Sequence, residues 1–407
     1  MRAIVTSPGS ESSRGQIREI LAVPGSPRTI LFSALGRLPV AMTSIALLFY
    51  IQRSTGSFGD AGLVSGSALV GTAIGSVVQG RLVDRLGPTR TLATATGIYV
   101  SAAALAFLLV ESGGVLPVLM VCAAVLGLAQ PALGTASRAI WAHRLPAGPA
   151  REFAFTYEAI SLETFFILGP ALAAILASLE WAGTGLVVAV AMMSVGTVGF
   201  LTSPLVRTIP RSSQRGRPLL HIIAIPGMQT LILAVLGFGI IIGFVEVAVP
   251  AVANLAGVSA YGGILLGLWS LTSVVFGIAY ARRPWPRSYA HRAPVLLIGF
   301  GVLVALVAFV QGGLVVFTIA LMVSGLLITP QATLHSLIVE AVTTEDQAAE
   351  AFGWVLAAVT AGVAIGHLSA GQIVEDFGPS VALASTVIPA VVLGGIVALR
   401  RRTLRGG

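Results

Sequence analysis

The chain has 407 residues, of which 56% are hydrophobic and only 10% are charged, and its mean hydropathy is +0.94. A soluble protein has about 25% charged residues, so this composition excludes a water-soluble enzyme. All 24 basic residues are Arg, and the absence of Lys excludes a P-loop and any Schiff-base lysine. The single Cys122 excludes an intramolecular disulfide and a multi-cysteine metal site.

Apolar runs long enough to cross a bilayer, about 20 residues each, recur along the whole chain and end at polar or Gly/Pro clusters. We therefore predict an all-α integral membrane protein with twelve transmembrane helices in a lipid bilayer. In chain order the predicted spans are 29–51, 61–83, 91–110, 115–141, 152–178, 183–206, 228–252, 260–281, 293–311, 313–338, 350–374 and 379–399.

The arginines predict the orientation. If the N-terminus is inside, 22 of the 24 lie in cytoplasmic segments; Arg53 lies outside and Arg37 lies deep within a span. This is the bias of the positive-inside rule, and it accounts for the net charge of +8 without a nucleic-acid partner. We expect both termini in the cytoplasm. Because the Ala, Gly, Val and Arg excess suggests a GC-rich genome, we expect a bacterial cytoplasmic membrane.

One longer linker divides the predicted spans six and six. The expected organisation is a cytoplasmic tail at 1–28, a six-helix bundle at 29–206, a cytoplasmic linker at 207–227, a second six-helix bundle at 228–399 and a basic cytoplasmic tail at 400–407. Several residues recur at an offset of 197, which predicts that one half is a duplicate of the other. These pairs are Gly66/Gly263, Gly80/Gly277, Gly169/Gly366, Phe155/Phe352 and Tyr157/Trp354.

The loop between spans 2 and 3 reads GRLVDRLGPTR over residues 80–90. It resembles the signature G-x-L-x-D-R-x-G-x-x-x that the major facilitator superfamily carries in this loop. The second-half copy at 277–287 keeps its first glycine and its arginines but has Ala281 in place of the Asp. Gly169-Pro170 on span 5 is similar to the Gly-Pro motif of antiporters in that family, in a weakened form. The matching loop positions are Gly80, Leu82, Asp84, Arg85 and Gly87, with Arg90 at the basic end.

The resemblance implies a secondary transporter in which two six-helix bundles rock about a substrate site near the midplane. It favours proton-coupled export of a small, partly apolar organic molecule. The alternatives are a proton- or solute-coupled uptake porter and a non-transporting sensor or assembly protein. In the family this loop latches the halves on the inner face. In this chain Asp84 can face the positive end of a neighbouring helix, or the loop can be an ordinary turn.

Charged residues inside the membrane are functional candidates. Arg37 on span 1 is expected to pair with Glu158 or Glu163 on span 5, either as a proton relay or as a static pair that holds the bundle together. Of the two carboxylates we favour Glu163 as the proton carrier, because it lies nearer the midplane. Glu246 on span 7 lies among glycines, where it can face a cavity or reach the outer water. His367 on span 11 can titrate or pack by hydrogen bonding.

Polar residues beside the two span prolines are candidates for a substrate path: Gln130 on span 4, and Gln331 and His335 on span 10. Gly62, Gly66, Gly71 and Gly75 on span 2 predict close helix packing. The sequence contains no HExxH, Cys/His cluster, nucleophile-elbow serine or phosphate-cradling loop. We therefore expect no catalytic residue, no metal and no cofactor.

Overall fold

The computed structural model describes residues 20–145, 149–207, 222–259, 261–281, 288–310, 313–343 and 348–404. These residues form helices and no strands. Several side chains within the helices, including those of Asp84, Arg85 and Glu163, lie outside the described part.

Twelve spans can be traced through the described residues, which confirms the predicted fold class. Ten helices are long and apolar enough to cross a membrane, and spans 5 and 8 have shorter described apolar stretches. The first six spans are Ser26–Thr55, Phe58–Leu86, Pro88–Glu111, Leu116–Leu128 with Leu133–Arg144, Pro149–Ala177 and Thr184–Leu201. The last six are Pro226–Leu255, Tyr261–Ala281, Tyr289–Val307, Gly313–Gly325 with Ile328–Val342, Ala348–Phe377, and Pro379–Ser385 with Val387–Leu399.

We call the side of the membrane on which span 1 begins and span 12 ends the terminal face, and the opposite side the distal face. Two short segments follow the last spans of the halves on the terminal face. Pro204–Arg207 is a short helix, and Arg401–Leu404 is a 3-10 helix whose Leu404 is buried. The predicted span 183–206 therefore ends earlier, at Leu201, because Pro204 begins a new helix.

At the terminal face, each half has an equivalent hydrogen bond between its first span and the segment after its last span. In the first half the Thr29 hydroxyl lies 2.6 Å from the Ser203 hydroxyl, which joins the start of span 1 to the end of span 6. In the second half the hydroxyls of Thr230 and Thr403 are 2.8 Å apart and join spans 7 and 12 in the same way. The same joint at a similar sequence offset supports the predicted duplication.

Spans 4 and 10 were predicted as continuous helices but are each broken in the middle. Pro131 lacks an N–H and interrupts span 4. The side chain of Gln79 on span 2 bonds the freed backbone groups: its amide nitrogen donates to the carbonyls of Leu128 and Gln130, both at 2.9 Å, and its oxygen accepts from the Ala132 N–H at 3.1 Å. Within a bilayer such groups must be bonded internally.

Backbone groups at the break in span 10 form hydrogen bonds with hydroxyl side chains of span 8. Ser273 accepts a hydrogen bond from the Thr329 N–H at 3.1 Å, and Thr272 donates to the carbonyl of Met322 at 2.9 Å. Span 12 is also broken once, at Thr386. The Thr386 hydroxyl donates to the Gly301 carbonyl of span 9 at 3.1 Å. The sequence pattern missed these breaks because hydropathy does not register a change of helix axis.

The two halves meet through small residues near the distal face. Among the described residues, spans 2 and 11 form the largest contact, spans 5 and 8, which are their counterparts in the predicted duplication, form the second, and spans 2 and 7 also touch. A Cβ added to Gly66 would lie 2.6 Å from Leu368, and one added to Gly263 would lie 2.1 Å from Ala174. Gly66 and Gly263, which are related by the 197-residue offset, therefore have the same position between the halves.

Contacts at the terminal face differ. The second helices of spans 4 and 10, Leu133–Arg144 and Ile328–Val342, lie on this side. Among the described residues their main contacts are with helices of their own half. Among the described residues, the halves are thus joined toward the distal face, while the packing at the terminal face is mainly within each half.

Candidate functional site

A buried ion pair joins spans 1 and 5. The Arg37 guanidinium contacts one carboxylate oxygen of Glu158 and also donates to the Glu158 carbonyl at 3.0 Å. Arg37 is 3% exposed and Glu158 is 1% exposed. Of the two predicted partners of Arg37, the structure therefore pairs Glu158 with it, while the side chain of Glu163 lies outside the described residues.

Span 4 completes the surroundings of the Glu158 carboxylate. Its second oxygen accepts hydrogen bonds from the Ser137 hydroxyl at 2.6 Å and from the Trp141 indole N–H at 3.2 Å. These two donors are four residues apart and therefore lie on the same face of the helix. Arg138, between them, is half-buried and interacts electrostatically with both members of the ion pair.

Two residues without charge also neighbour Arg37. Its guanidinium lies 5.6 Å from the centroid of the Phe165 ring. A Cβ at Gly134 would lie 3.4 Å from the Arg37 Nε, which is ordinary van der Waals contact. By rise along the helix, Arg37 lies about 16 Å from the terminal end of span 1. The cluster is therefore within the membrane and nearer the terminal face.

The hydrogen bonds determine what this cluster can do. Removing one member of a buried pair leaves an uncompensated charge, which destabilises a protein by about 3–5 kcal/mol. Protonation of Glu158 has a related effect, because it removes the negative charge that Arg37 faces. The charge on this one carboxylate therefore affects how spans 1, 4 and 5 are bound to one another.

A second buried polar cluster joins spans 7 and 11 to span 2. The two ring nitrogens of His367 lie 2.8 Å from the Ser65 hydroxyl and 2.8 Å from a carboxylate oxygen of Glu246. His367 and Ser65 are fully buried, and 12% of the Glu246 side chain is exposed. Spans 7 and 11 correspond to spans 1 and 5, so each half has an acid–base pair on equivalent helices. The second pair lies nearer the distal face.

The candidates for a substrate path are buried in the interior of each half. Gln130 donates to Thr43 at 3.2 Å and accepts from Thr72 at 3.3 Å. Gln331 is 1% exposed, and its amide nitrogen and oxygen have no hydrogen-bond partner among the described residues. His335 packs edge-on against Phe238, with ring centroids 5.5 Å apart. The structure thus brings Gln331 and His335 onto one helix face, apart from Gln130.

The loop motif is described in part. Gly87 has φ +84° and ψ 159°, a conformation that only glycine adopts readily, and it ends span 2 and begins span 3. A Cβ at Gly80 would have only one neighbour, Thr135 at 3.9 Å, whereas one at Gly277 would clash with Thr329 at 2.3 Å. In this conformation, the close packing of span 8 against span 10 therefore requires glycine at Gly277 of the second-half copy. Arg90 is exposed, and the side chains of Asp84 and Arg85 lie outside the described residues.

Sequence reasoning missed the hydroxyl and indole partners of the charged groups. Ser65, Ser137 and Trp141 are ordinary residues of apolar spans, and their roles depend on contacts between helices that are distant in sequence. A spacing signal existed for Ser137 and Trp141, which are one helical turn apart on a span next to the expected ion pair. No metal-binding group of three or more His, Cys, Asp or Glu occurs among the described residues.

The chain thus consists of two similar six-helix halves, each with an acid–base pair buried in it. Repeated halves of this kind are typical of secondary transporters. The family model described as Major Facilitator Superfamily matches residues 29–338. The chain belongs to the major facilitator superfamily.

Solved structures are similar in fold over nearly the whole chain. The nucleoside transporter NupG is 14% identical with a TM-score of 0.69, and the match covers 92% of this chain and 98% of that one. A bacterial homolog of the human lysosomal transporter Spinster, inward-facing and unoccupied, is 14% identical with a TM-score of 0.68 over 93% and 97%. The human organic anion transporter MFSD10 is 16% identical with a TM-score of 0.62 over 93% and 99%. No curated protein sequence matches this chain.

Proposed function

We propose that the chain is a proton-coupled secondary transporter that exports a small organic solute from the bacterial cytoplasm by alternating access. The observation that carries the proposal is the Arg37–Glu158 pair, which is buried between spans 1 and 5 and completed by donors from span 4. A charge in the membrane interior is expensive. A carboxylate that can be neutralised by a proton provides a way to change the packing of three helices.

The orientation is part of the proposal. The arginine distribution supports a cytoplasmic terminal face, which is the face at which the described halves are packed separately. The conformation then corresponds to one that is closed toward the outside. The small residues at the distal contact, such as Gly62 against Gly371 and Gly263 against Ala174, support rocking, because they let the helices of the two halves approach closely. The Gly169-Pro170 step on span 5, where Gly169 packs against Ala41 of span 1, supports the outward direction.

The experiment uses purified protein in liposomes that contain a pH-sensitive dye. The solutes include nucleosides, peptides and organic anions, which are the substrates in the names of the structural neighbours, together with partly apolar dyes. Proton-coupled export predicts that one solute class moves against its gradient while protons move the opposite way. Glu158→Gln should abolish gradient-driven movement, and Glu180→Gln, at an exposed carboxylate of the distal face, is the matched control.

Proton and solute moving in the same direction would instead identify an uptake porter. No movement of any solute, with normal folding and no proton signal, would favour a non-transporting protein. Glu163 remains in the proposal as the next residue to test if Glu158→Gln transports at the wild-type rate.

A further inference from the structure

His367 connects the two halves of the protein inside the membrane. It lies on span 11 of the second half, and its Nδ1 is 2.8 Å from the hydroxyl of Ser65 on span 2 of the first half. The helices approach closely here: a Cβ at Gly62, one turn from Ser65, would lie 2.5 Å from the His367 carbonyl. This polar link therefore exists only while the distal contact is closed.

The other ring nitrogen of His367 lies 2.8 Å from Glu246. We infer that Ser65, His367 and Glu246 form a proton-dependent lock of the distal face, which closes when the His367–Glu246 pair takes up one proton. The lock rests on the proposed function only in requiring that the distal face opens and closes. It is a different cluster from the Arg37–Glu158 pair.

The charge of the buried pair gives the reason. With one added proton the pair is neutral overall, as an imidazolium and a carboxylate. Without that proton it carries a net negative charge. His367 is fully excluded from solvent and Glu246 nearly so, and an uncompensated buried charge is strongly destabilising. The closed arrangement therefore favours the neutral pair with its added proton.

Ser65 can bond His367 in both protonation states. An imidazolium donates from Nδ1 to the Ser65 oxygen and from Nε2 to Glu246, so that both hydrogen bonds involve a charged group. When the ring is neutral and Nε2 still donates to Glu246, the Ser65 hydroxyl donates to Nδ1 instead. Since charge-assisted bonds are the stronger ones, the proton strengthens the link between the halves.

Other titratable groups lie on the helices packed around His367. The turn of span 2 nearest the distal face carries Asp60. The turn of span 11 nearest that face carries Glu375 and Asp376, so all three residues are acidic. Span 7 contributes only Glu246. The adjoining helix Pro379–Ser385 contains no titratable residue, and span 10 contributes His335 and Glu340 farther toward the terminal face.

The test measures the distance across the distal face. Spin labels are attached at Thr55→Cys and Phe377→Cys in a Cys122→Ala background; both positions are exposed and lie at the distal ends of spans 1 and 11. The distance distribution is recorded by pulsed electron paramagnetic resonance in nanodiscs from about pH 5.5 to 8.5, a range that brackets the ordinary histidine pKa, without substrate. One linked proton predicts that the ratio of closed to open protein falls by up to about tenfold per pH unit as the pH rises.

Three variants locate the effect. Glu246→Gln removes the negative charge, so a buried imidazolium is then disfavoured, and the pH response should vanish or reverse in sign. Ser65→Ala should keep the direction of the response but lower the ratio of closed to open protein at every pH by about tenfold. His291→Gln, at an exposed histidine near the terminal end of span 9, should respond as the wild type does.

A wild-type distance that does not change with pH would overturn the lock. So would a Glu246→Gln variant that keeps the full wild-type response while folded, as judged by its unfolding temperature. Transport assays are separate: proton-coupled transport without a pH-dependent distance removes the lock alone. A pH-dependent distance with proton-independent transport removes the coupling proposal and keeps the lock.

Discussion

Gly263→Ala should shift the protein away from the conformation in which the distal face is closed. Gly263 is on span 8, and the added Cβ would lie 2.1 Å from the Cβ of Ala174 on span 5 of the other half. Ordinary contact begins at 3.4 Å, so the two spans must separate by about 1.3 Å at this point. The methyl group has no such neighbour once the halves have moved apart.

The size of the shift follows from the energy of overpacking. An extra methyl group in a well-packed site destabilises by about 1–3 kcal/mol. Because the clash exists only between the halves, this energy acts on the equilibrium between closed and open distal faces. A difference of about 1–3 kcal/mol changes that equilibrium by about 5- to 150-fold. The conformation described here would become the minor one if the two are of similar stability in the wild type.

The distal spin-label pair measures this shift directly. Gly263→Ala should lengthen the main distance at every pH, with little change in unfolding temperature. Two glycines serve as controls. A Cβ added at Gly97 has no atom within 4 Å, so Gly97→Ala should change neither the distance nor the unfolding temperature. A Cβ added at Gly196 would lie 2.4 Å from Gly36 of the same half, so Gly196→Ala should lower the unfolding temperature without opening the distal face. An unchanged distance in Gly263→Ala would refute the reasoning.

Three other changes test separate parts of the structure. Reversing both charges, Arg37→Glu with Glu158→Arg, should give a higher unfolding temperature than either single change, since each single change places two like charges side by side and destabilises by more than the about 3–5 kcal/mol of an unpaired buried charge; equal values would mean that the pair is not coupled. Gln79→Ala leaves the break in span 4 without its bonds and should destabilise by about 2–4 kcal/mol in chemical unfolding, and a loss below about 0.5 kcal/mol would contradict that role. Asp84→Asn should lower transport several-fold at a matched protein level if the loop is a latch, and wild-type transport would contradict the latch.

The twelve spans could be predicted because a bilayer imposes a simple length and composition on each helix. Their ends were predicted to within a few residues. The breaks at Gln130-Pro131, near Leu327 and at Thr386 were not, although Pro131 was a visible signal. Their stability depends on side chains of neighbouring spans, such as Gln79, whose positions follow from tertiary packing.

The candidate site could likewise be predicted only in part. Arg37 was an evident candidate because a lone arginine deep in a span must be paired, and the helical depths reduced its partners to two. The link from His367 to Ser65 was beyond the sequence, since a serine in an apolar span has no distinguishing pattern. The 197-residue offset did indicate Gly66 and Gly263 as equivalent positions, and both lie between the halves.

The most direct test of the central claim is a comparison of two transport modes in liposomes containing wild-type or Glu158→Gln protein. Gradient-driven transport requires a net proton movement in each cycle, whereas exchange of labelled for unlabelled solute does not. If Glu158 carries the proton, the variant should keep exchange at a rate within a few-fold of the wild type and lose gradient-driven accumulation. Accumulation at the wild-type rate in Glu158→Gln would contradict the account, because the buried pair would then hold the helices together without taking part in coupling.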